Sequence, residues 1–350
     1  MQPMRTVQTR DRRRLRILLG GEEPVRSAPS LSLGEALRGQ GIEVVYSHGV
    51  ESLSTKSWIS AVRNCDAIIW VGYHGPGLYV VKQLALAVAC GCPVIRWWVG
   101  SDVLHCLLDP GSRARARILA SFSAKNIAVA PHLVEELSSI GIRATMIPMV
   151  IDPGFRSTIS PGSSCGKGIL VYLPGARAAF YGEAIVEQVI RANPDLTFVI
   201  VGDDKHRFLG VGNVESLGWV SDMQPVYERV GCLLRVTEHD GLPRMVIEAL
   251  LLGKYVIYSN RLPGTWSAKT YEEVQEGIDR FRGSTFLNTE GMAAARALLT
   301  PLPDVEFVHK IRDTIAESKW SKRICACLRA IDLTVRCRIR KDETRLFHAG

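Results

Sequence analysis

The chain has 350 residues, 47% of them hydrophobic and 22% charged, and a formal net charge of +8. That length and apolar content fit two globular domains and exclude a single small module. The basic charge sits at the ends, net +5 over residues 1–16 and net +6 over residues 319–345, so the body between them carries −3; this suits anionic lipid or phosphate near the termini and lacks the interleaved basic and aromatic stripe of a nucleic-acid groove.

The alternation of the chain begins with apolar runs at "LRILLG" (15–20), "IEVVYS" (42–47), "DAIIWVG" (66–72), "PVIRWWVG" (93–100), "NIAVAP" (126–131) and "ATMIPM" (144–149). Between them lie amphipathic segments such as "SLGEALRGQG" (32–41) and "HLVEELSSIG" (132–141), each closed by Gly. Continuous apolar strands separated by helices predict a parallel sheet covered on both faces, an α/β doubly wound domain over 14–152. The Gly, Pro and Ser-rich stretch "DPGFRSTISPGSSCGKG" (152–168) reads as a linker, placed at 153–168. The pattern then restarts with "ILVYLPG" (169–175), "LTFVIVG" (196–202), "VESLGWV" (214–220), "CLLRVT" (232–237) and "KYVIYS" (254–259), a second domain of the same class over 169–303. Helices are expected over 304–340, packing back on the first domain.

No apolar run reaches the length of a membrane span and the N-terminus lacks an apolar signal segment, so the expected location is the cytoplasm. Nine cysteines, at 65, 90, 92, 106, 165, 232, 325, 327 and 337, include no CxxC pair, which favours buried reduced thiols over zinc or redox motifs.

Two such domains in tandem leave a crevice between the carboxyl ends of two sheets, where ligands of these folds bind. The segment "TEHDGLPRMVIEALLLGKYVIYS" (237–259) faces it. Pro243 suits the first turn of a helix, and N–H groups around Gly241 and Leu242, with the helix dipole, make a site for phosphate or carboxylate. Seven residues separate Asp240 from Glu248, placing Asp240 at the helix mouth and Glu248 about two turns inside. At that depth Glu248 accepts hydrogen bonds from a vicinal diol such as ribose, and Asp240 reaches hydroxyls beyond the phosphates. The same residues also allow Asp240 to be a helix cap and Glu248 to pair with a surface cation.

This segment resembles the signature of glycosyltransferase family 4, within the GT-B fold, in which two acids seven residues apart flank a Gly-rich helix start before an "EAL..G" run. The first acid of the family is usually Glu; here it is Asp240, with Glu238 close enough to share its role. Further segments are similar to the family: "VIRWWVGSDVL" (94–104), "VAPHLVEELSSIGIRATMIPMVID" (129–152) and "LGWVSDMQPVYERVGCLLRVTEHDG" (217–241). The resemblance implies a retaining transferase that moves a sugar from a nucleotide diphosphate sugar, UDP- or GDP-linked, to a glycan or lipid-linked acceptor hydroxyl. It implies no further cofactor, and the absence of an Asp-x-Asp motif agrees with a metal-independent site. The family places an Arg and a Lys after the first strand of the second domain. Here Arg177 stands at the Arg position with no Lys following: Arg177 is then the diphosphate clamp or a solvated loop residue, or Arg244 or Lys205 substitutes, or the donor site is weakened. The base would lie near Gly218 to Val220, with Trp219 either beside it or packed in the core.

On the acceptor side Gly20 and Gly21 end the first strand, either approaching the ligands or making an ordinary turn. Asp102 either orients the acceptor hydroxyl, with His105 or His74 behind it, or caps a short helix. Trp320, Ile324, Leu328, Ile331 and Val335 form an apolar stripe opposite Lys322, Arg329, Arg336 and Arg340. That stripe either packs on the first domain or lies on an anionic membrane surface, and "GSRARARILASF" (111–122) either joins that surface or is solvated. A GT-B protein that holds a nucleotide or glycan without turnover is the rival function. A Rossmann-type oxidoreductase is excluded because no strand leads into a G-x-G-x-x-G turn.

Overall fold

The computed structural model of the protein describes residues 14–21, 29–48, 54–72, 75–151, 155, 166–202 and 207–317. His74, Lys205, most of the linker and the basic amphipathic stretch after residue 317 lie outside the described residues.

The first half runs β1 (Arg16–Gly21), α1 (Pro29–Gly39), β2 (Glu43–His48), α2 (Thr55–Arg63), β3 (Ala67–Val71), α3 (Leu78–Ala89), β4 (Val94–Trp98), α4 (Ser101–Leu108), α5 (Pro110–Phe122), β5 (Lys125–Ala128), α6 (Pro131–Ser139) and β6 (Thr145–Met146). Its strands form one sheet, all pairs parallel, in the order β2-β1-β3-β4-β5-β6. The second half runs β7 (Gly168–Tyr172), two 3₁₀ turns (Gly175–Arg177 and Ala179–Tyr181), α7 (Glu183–Ala192), β8 (Phe198–Val201), β9 (Val214–Gly218), α8 (Gln224–Arg229), β10 (Val230–Arg235), α9 (Arg244–Leu251), β11 (Tyr255–Tyr258) and β12 (Trp266–Ser267). These strands form a second parallel sheet, β12-β11-β10-β7-β8-β9. Helices α10 (Tyr271–Arg282), α11 (Thr289–Leu298) and α12 (Pro303–Glu317) close the described chain.

Every apolar run read as a strand overlaps one, because a parallel strand covered on both faces is predominantly apolar: β3, β4, β8 and β10 are buried at every residue, the arginines of β4 and β10 included. Strand β12 is only two residues long and its sequence carries no such run. Helix starts are fixed by side chains: Asp109 accepts from the N–H groups of Gly111 and Ser112 at the head of α5, and Thr270 with Glu273 makes a capping box on α10.

The strand orders reverse direction between β1 and β3 in the first sheet and between β7 and β10 in the second. Open α/β sheets bind ligands outside the carboxyl ends of strands at such a switch point. In the second sheet that point is flanked by the turn holding Arg177 and by the loop after Arg235.

Each half has an apolar cluster of its own, and a third cluster joins the two halves. One cluster of buried apolar side chains includes Trp97, Val99 and Val129 of the first half and Leu242, Val246 and Leu250 of the second. Helix α12 returns to the first half: Phe307 packs edge-on against Trp97 with ring centroids 5.3 Å apart, and Gln40 donates to Asp304 at 3.0 Å. Phe307 is fully buried, so Phe307→Ala is expected to cost about 3–5 kcal/mol, read as a lower midpoint of chemical unfolding.

Candidate functional site

Strand β10 carries an arginine where its neighbours are Leu233 and Leu234. A guanidinium at the buried end of a strand needs a counter-charge, and Arg235 finds it in the loop that follows: its Nε donates to Asp240 Oδ2 at 2.7 Å. The pair is nearly enclosed, 7% and 16% exposed. The guanidinium also lies 5.0 Å from the ring centroid of Tyr172 and 5.3 Å from that of Tyr181. Burial works against its charge, but Asp240, Tyr181 and Tyr258 more than offset that, and its pKa is raised. The other oxygen of Asp240, Oδ1, accepts the Gly241 N–H at 3.0 Å. The Gly241 N–H expected to meet a phosphate is thus taken up by the neighbouring carboxylate, and Gly241 and Leu242 are both buried.

Helix α9 starts one residue after Pro243, which occupies the cap position. Glu248 is therefore its fifth residue, little more than one turn inside rather than two. Its Oε2 accepts a hydrogen bond of 2.8 Å from the Tyr227 hydroxyl. Burial, and then Glu248 itself, push the Tyr227 phenol well above its ordinary pKa, so it stays a donor and fixes the carboxylate. Glu238 is exposed and lines a cleft of about 550 Å³ with Gly182, Glu183, Glu187 and Lys269.

The first half builds a similar loop. Arg96, 1% exposed in β4, donates through Nη2 to Asp102 Oδ2 at 2.6 Å and through Nη1 to the Trp70 and Trp97 carbonyls. Asp102 Oδ1 accepts the N–H groups of Val99, Gly100 and Val103. Burial raises the Asp102 pKa, and Arg96 with the three N–H groups limits the rise. This corrects the expected role of Asp102: a carboxylate 0% exposed and so surrounded positions the 99–103 turn and does not touch an acceptor. His105, three residues further along α4, is exposed, whereas Asp102 is fully buried.

The two loops meet. A Cβ on Gly241 would lie 2.0 Å from the Val99 carbonyl oxygen, and one on Gly100, whose φ is +135°, would lie 2.7 Å from the Gly241 nitrogen. Side chains tie the same contact: His132 Nε2 lies 2.8 Å from the Asp240 carbonyl oxygen, His239 Nε2 lies 3.0 Å from Glu136 Oε2, and Arg244 donates to Ser32 Oγ at 2.8 Å. Arg244, considered as a phosphate ligand, is thus directed at α1.

The remaining expected residues lie around the switch points. Arg177 is exposed on its 3₁₀ turn, its guanidinium 4.5 Å from the centroid of Phe180 and 5.5 Å from that of Tyr181. Gly218 has φ +64° and open space where a Cβ would be, and Val220 is half-buried against the core. Trp219 between them is 61% exposed, not packed in the core. Gly20 and Gly21 do end β1, but each is fitted to β3: a Cβ on Gly20 would meet the Trp70 ring at 2.5 Å, and one on Gly21 the Val71 carbonyl oxygen at 1.6 Å. Among the described residues no group of three or more His, Cys, Asp or Glu side chains is placed to hold a metal ion, and no helix is long and apolar enough to cross a membrane.

Arg96, Arg235, Tyr227, His132 and His239 were not singled out by the sequence reading. The two arginines had a signal, a lone charge inside an apolar strand run; the histidines and Tyr227 had none, because their partners lie far along the chain.

Residues 174–281 match the family described as Glycosyl transferases group 1. No curated protein matches the chain significantly. Among solved structures, Anabaena Alr3699/HepE in complex with UDP and glucose is 14% identical, with a TM-score of 0.61, over 87% of this chain and 100% of that one. A glycosyltransferase from Rickettsia africae is 12% identical, with a TM-score of 0.63, over 87% and 99%. Sucrose-phosphate synthase from Thermosynechococcus elongatus is 13% identical, with a TM-score of 0.60, over 87% and 100%. The fold is GT-B, two Rossmann-like domains with a parallel six-stranded sheet each.

Two substitutions test the geometry of the contact. Gly241→Ala drives a methyl group into a backbone carbonyl of the other domain, whereas Gly218→Ala meets open space and carries only the penalty of a left-handed residue, about 1–2 kcal/mol. Gly241→Ala is therefore expected to lower the melting temperature further and to increase the radius of gyration in solution scattering, which Gly218→Ala leaves unchanged. Asp102→Asn leaves the Arg96 charge buried without its counter-ion, and its expected cost in chemical denaturation is about 3–5 kcal/mol.

Proposed function

We propose that the protein is a retaining, metal-independent hexosyltransferase of glycosyltransferase family 4, moving a sugar from a nucleotide diphosphate sugar to an acceptor hydroxyl in glycan or glycoconjugate synthesis. The observation that carries the reading is the arrangement at the β7/β10 switch point: a cation after one strand, a carboxylate after the other, and a second carboxylate oriented by Tyr227 on the helix that follows. All of these residues fall within the stretch matched by the glycosyl transferases group 1 family.

In this reading Glu248 accepts the ribose hydroxyls, its rotamer set by Tyr227. Asp240, with Glu238 at the edge, meets the sugar. The exposed indole of Trp219 gives the base a flat apolar surface beside Gly218 and Val220. Negative charge grows on the leaving diphosphate as the glycosidic bond breaks, and a cation already in place stabilises it without reorganisation. Arg177, preset over Phe180 and Tyr181, supplies that cation. The HepE structure that holds UDP supports UDP as the first nucleotide to try, with GDP next. The acceptor is a glycan or a lipid-linked glycan taken up on the first domain, and the basic ends of the chain support peripheral attachment at the cytoplasmic face of an anionic membrane.

The rival reading, a GT-B protein that binds without turnover, draws on Asp240 lying in an ion pair and on the lack of a lysine after Arg177. One experiment addresses both. In calorimetric titrations UDP is expected to bind the wild-type protein equally well with and without magnesium, and Glu248→Ala to weaken it by about tenfold or more, the worth of hydrogen bonds to a charged group. Hydrolysis of the matching nucleotide sugar without acceptor then separates an enzyme from a binding protein. Binding of no nucleoside diphosphate would overturn the proposal.

A further inference from the structure

The buried Arg235–Asp240 pair is not accounted for by its hold on the 235–241 loop alone. Its place in β10 lies between Leu234 and Val236, where an apolar side chain would complete the strand, and a buried ion pair is no more stable than the apolar packing that would replace it. The comparison with Arg96–Asp102 sharpens the point. That pair is sealed, 1% and 0% exposed, and its carboxylate holds three backbone N–H groups of its own turn. In the second pair both partners keep some exposure, 7% and 16%, and the carboxylate holds one N–H besides the guanidinium.

The position of Arg235 supplies the rest. Strands β7 and β10 flank the switch point, and each sends a guanidinium toward it: Arg177 from the turn after β7, Arg235 from the last residue of β10. Both converge on one ring, lying 5.5 Å and 5.3 Å from the centroid of Tyr181. A diphosphate carries more than one negative charge, and a single exposed arginine does not balance it. Two guanidiniums do, and their fork geometry matches phosphate oxygens.

We infer that Arg235 is the second cation of the donor site, and that it exchanges Asp240 for the donor diphosphate, releasing the Asp240 carboxylate to the sugar. This rests on the nucleotide-sugar reading above. Before donor binds, each charge satisfies the other, so neither is left buried alone. When the diphosphate takes the guanidinium, Asp240 remains anchored through Oδ1 by the Gly241 N–H, and its Oδ2 turns to the hydroxyls beyond the phosphates. Arg235 keeps its aromatic support from Tyr172 and Tyr181 throughout.

The exchange makes predictions of opposite sign for the two partners. UDP, uridine and inorganic pyrophosphate are titrated calorimetrically into wild type, Asp240→Asn, Arg235→Leu and Arg235→Lys, with thermal melts to verify folding. Asp240→Asn removes the competing charge and is expected to tighten UDP and pyrophosphate by about tenfold, leaving uridine unchanged. Arg235→Leu is expected to weaken UDP and pyrophosphate by about tenfold or more with uridine again unchanged, and Arg235→Lys to recover part of the loss. A pair that only holds the loop in shape gives the other pattern: Asp240→Asn weakens UDP or leaves it alone, and uridine falls in step with UDP in Arg235→Leu. That pattern overturns the inference while wild-type UDP binding keeps the functional proposal intact. Failure of the wild type to bind any nucleoside diphosphate overturns the functional proposal and this inference with it. Should Arg235→Leu not fold, the sign of the Asp240→Asn effect decides alone.

Discussion

A methyl group does not fit between the Val99 carbonyl and Gly241, and the relation of the two domains depends on that contact. Backbone meets backbone there, so no side chain is available to adjust the fit, and the loops on both sides must be held in one conformation. Each is held in the same way, by an arginine within a parallel strand and an aspartate a few residues on: Arg96 with Asp102, Arg235 with Asp240. The apolar core follows suit, since Val99 and Val129 pack in one cluster with Leu242 and Val246 across the divide. Packed interiors tolerate little displacement. The crevice is therefore shaped by the same residues that join the domains.

The two pairs use one kind of interaction for different ends. Around Asp102 every oxygen is engaged and no water reaches it, so the pair acts as a fixed joint under the 99–103 turn. Around Asp240 the arrangement is less complete, and the carboxylate lies in the loop at the carboxyl end of β10, beside the switch point. Low dielectric strengthens both attractions, yet desolvation offsets much of the gain. A chain that needs only a joint has no reason to expose the second pair at the switch point.

The strands were legible because a doubly covered parallel strand is a nearly continuous apolar run: "AIIWV" and "FVIV" are unbroken, and "VIRWW" is broken only by Arg96. Spacing also located Asp240 and Glu248 on either side of a helix start. It missed the depth of Glu248, because the count ran from Asp240, whereas α9 begins four residues later at Arg244. It missed the roles of Asp102 and the Gly241 N–H for a common reason: sequence spacing shows which groups lie near a helix start, but not which charged neighbour reaches them first. Arg96 and Arg235 had been visible all along as charges within strand runs. Their partners are five or six residues away, within reach of reading, had the cost of burying a lone guanidinium been applied to the strand itself. The links from His132 to Asp240 and from His239 to Glu136 span more than a hundred residues and leave no local trace.

Under the proposed function, the same accounting of charge lets a site with few cations among the described residues serve a diphosphate. Arg177 is exposed and ordered only by two aromatic faces; by itself it contributes what a solvated cation contributes, a modest and salt-sensitive attraction. A buried guanidinium is worth more to a phosphate because the surrounding dielectric is lower, but it must not stand unpaired while the site is empty. Asp240 meets that requirement. In the proposed exchange the carboxylate that neutralises Arg235 is also the acid assigned to the sugar, so arrival of phosphate and release of carboxylate belong to a single event. A donor lacking the diphosphate leaves the acid engaged, and the order in which the charges pair becomes a means of telling a complete donor from a free sugar.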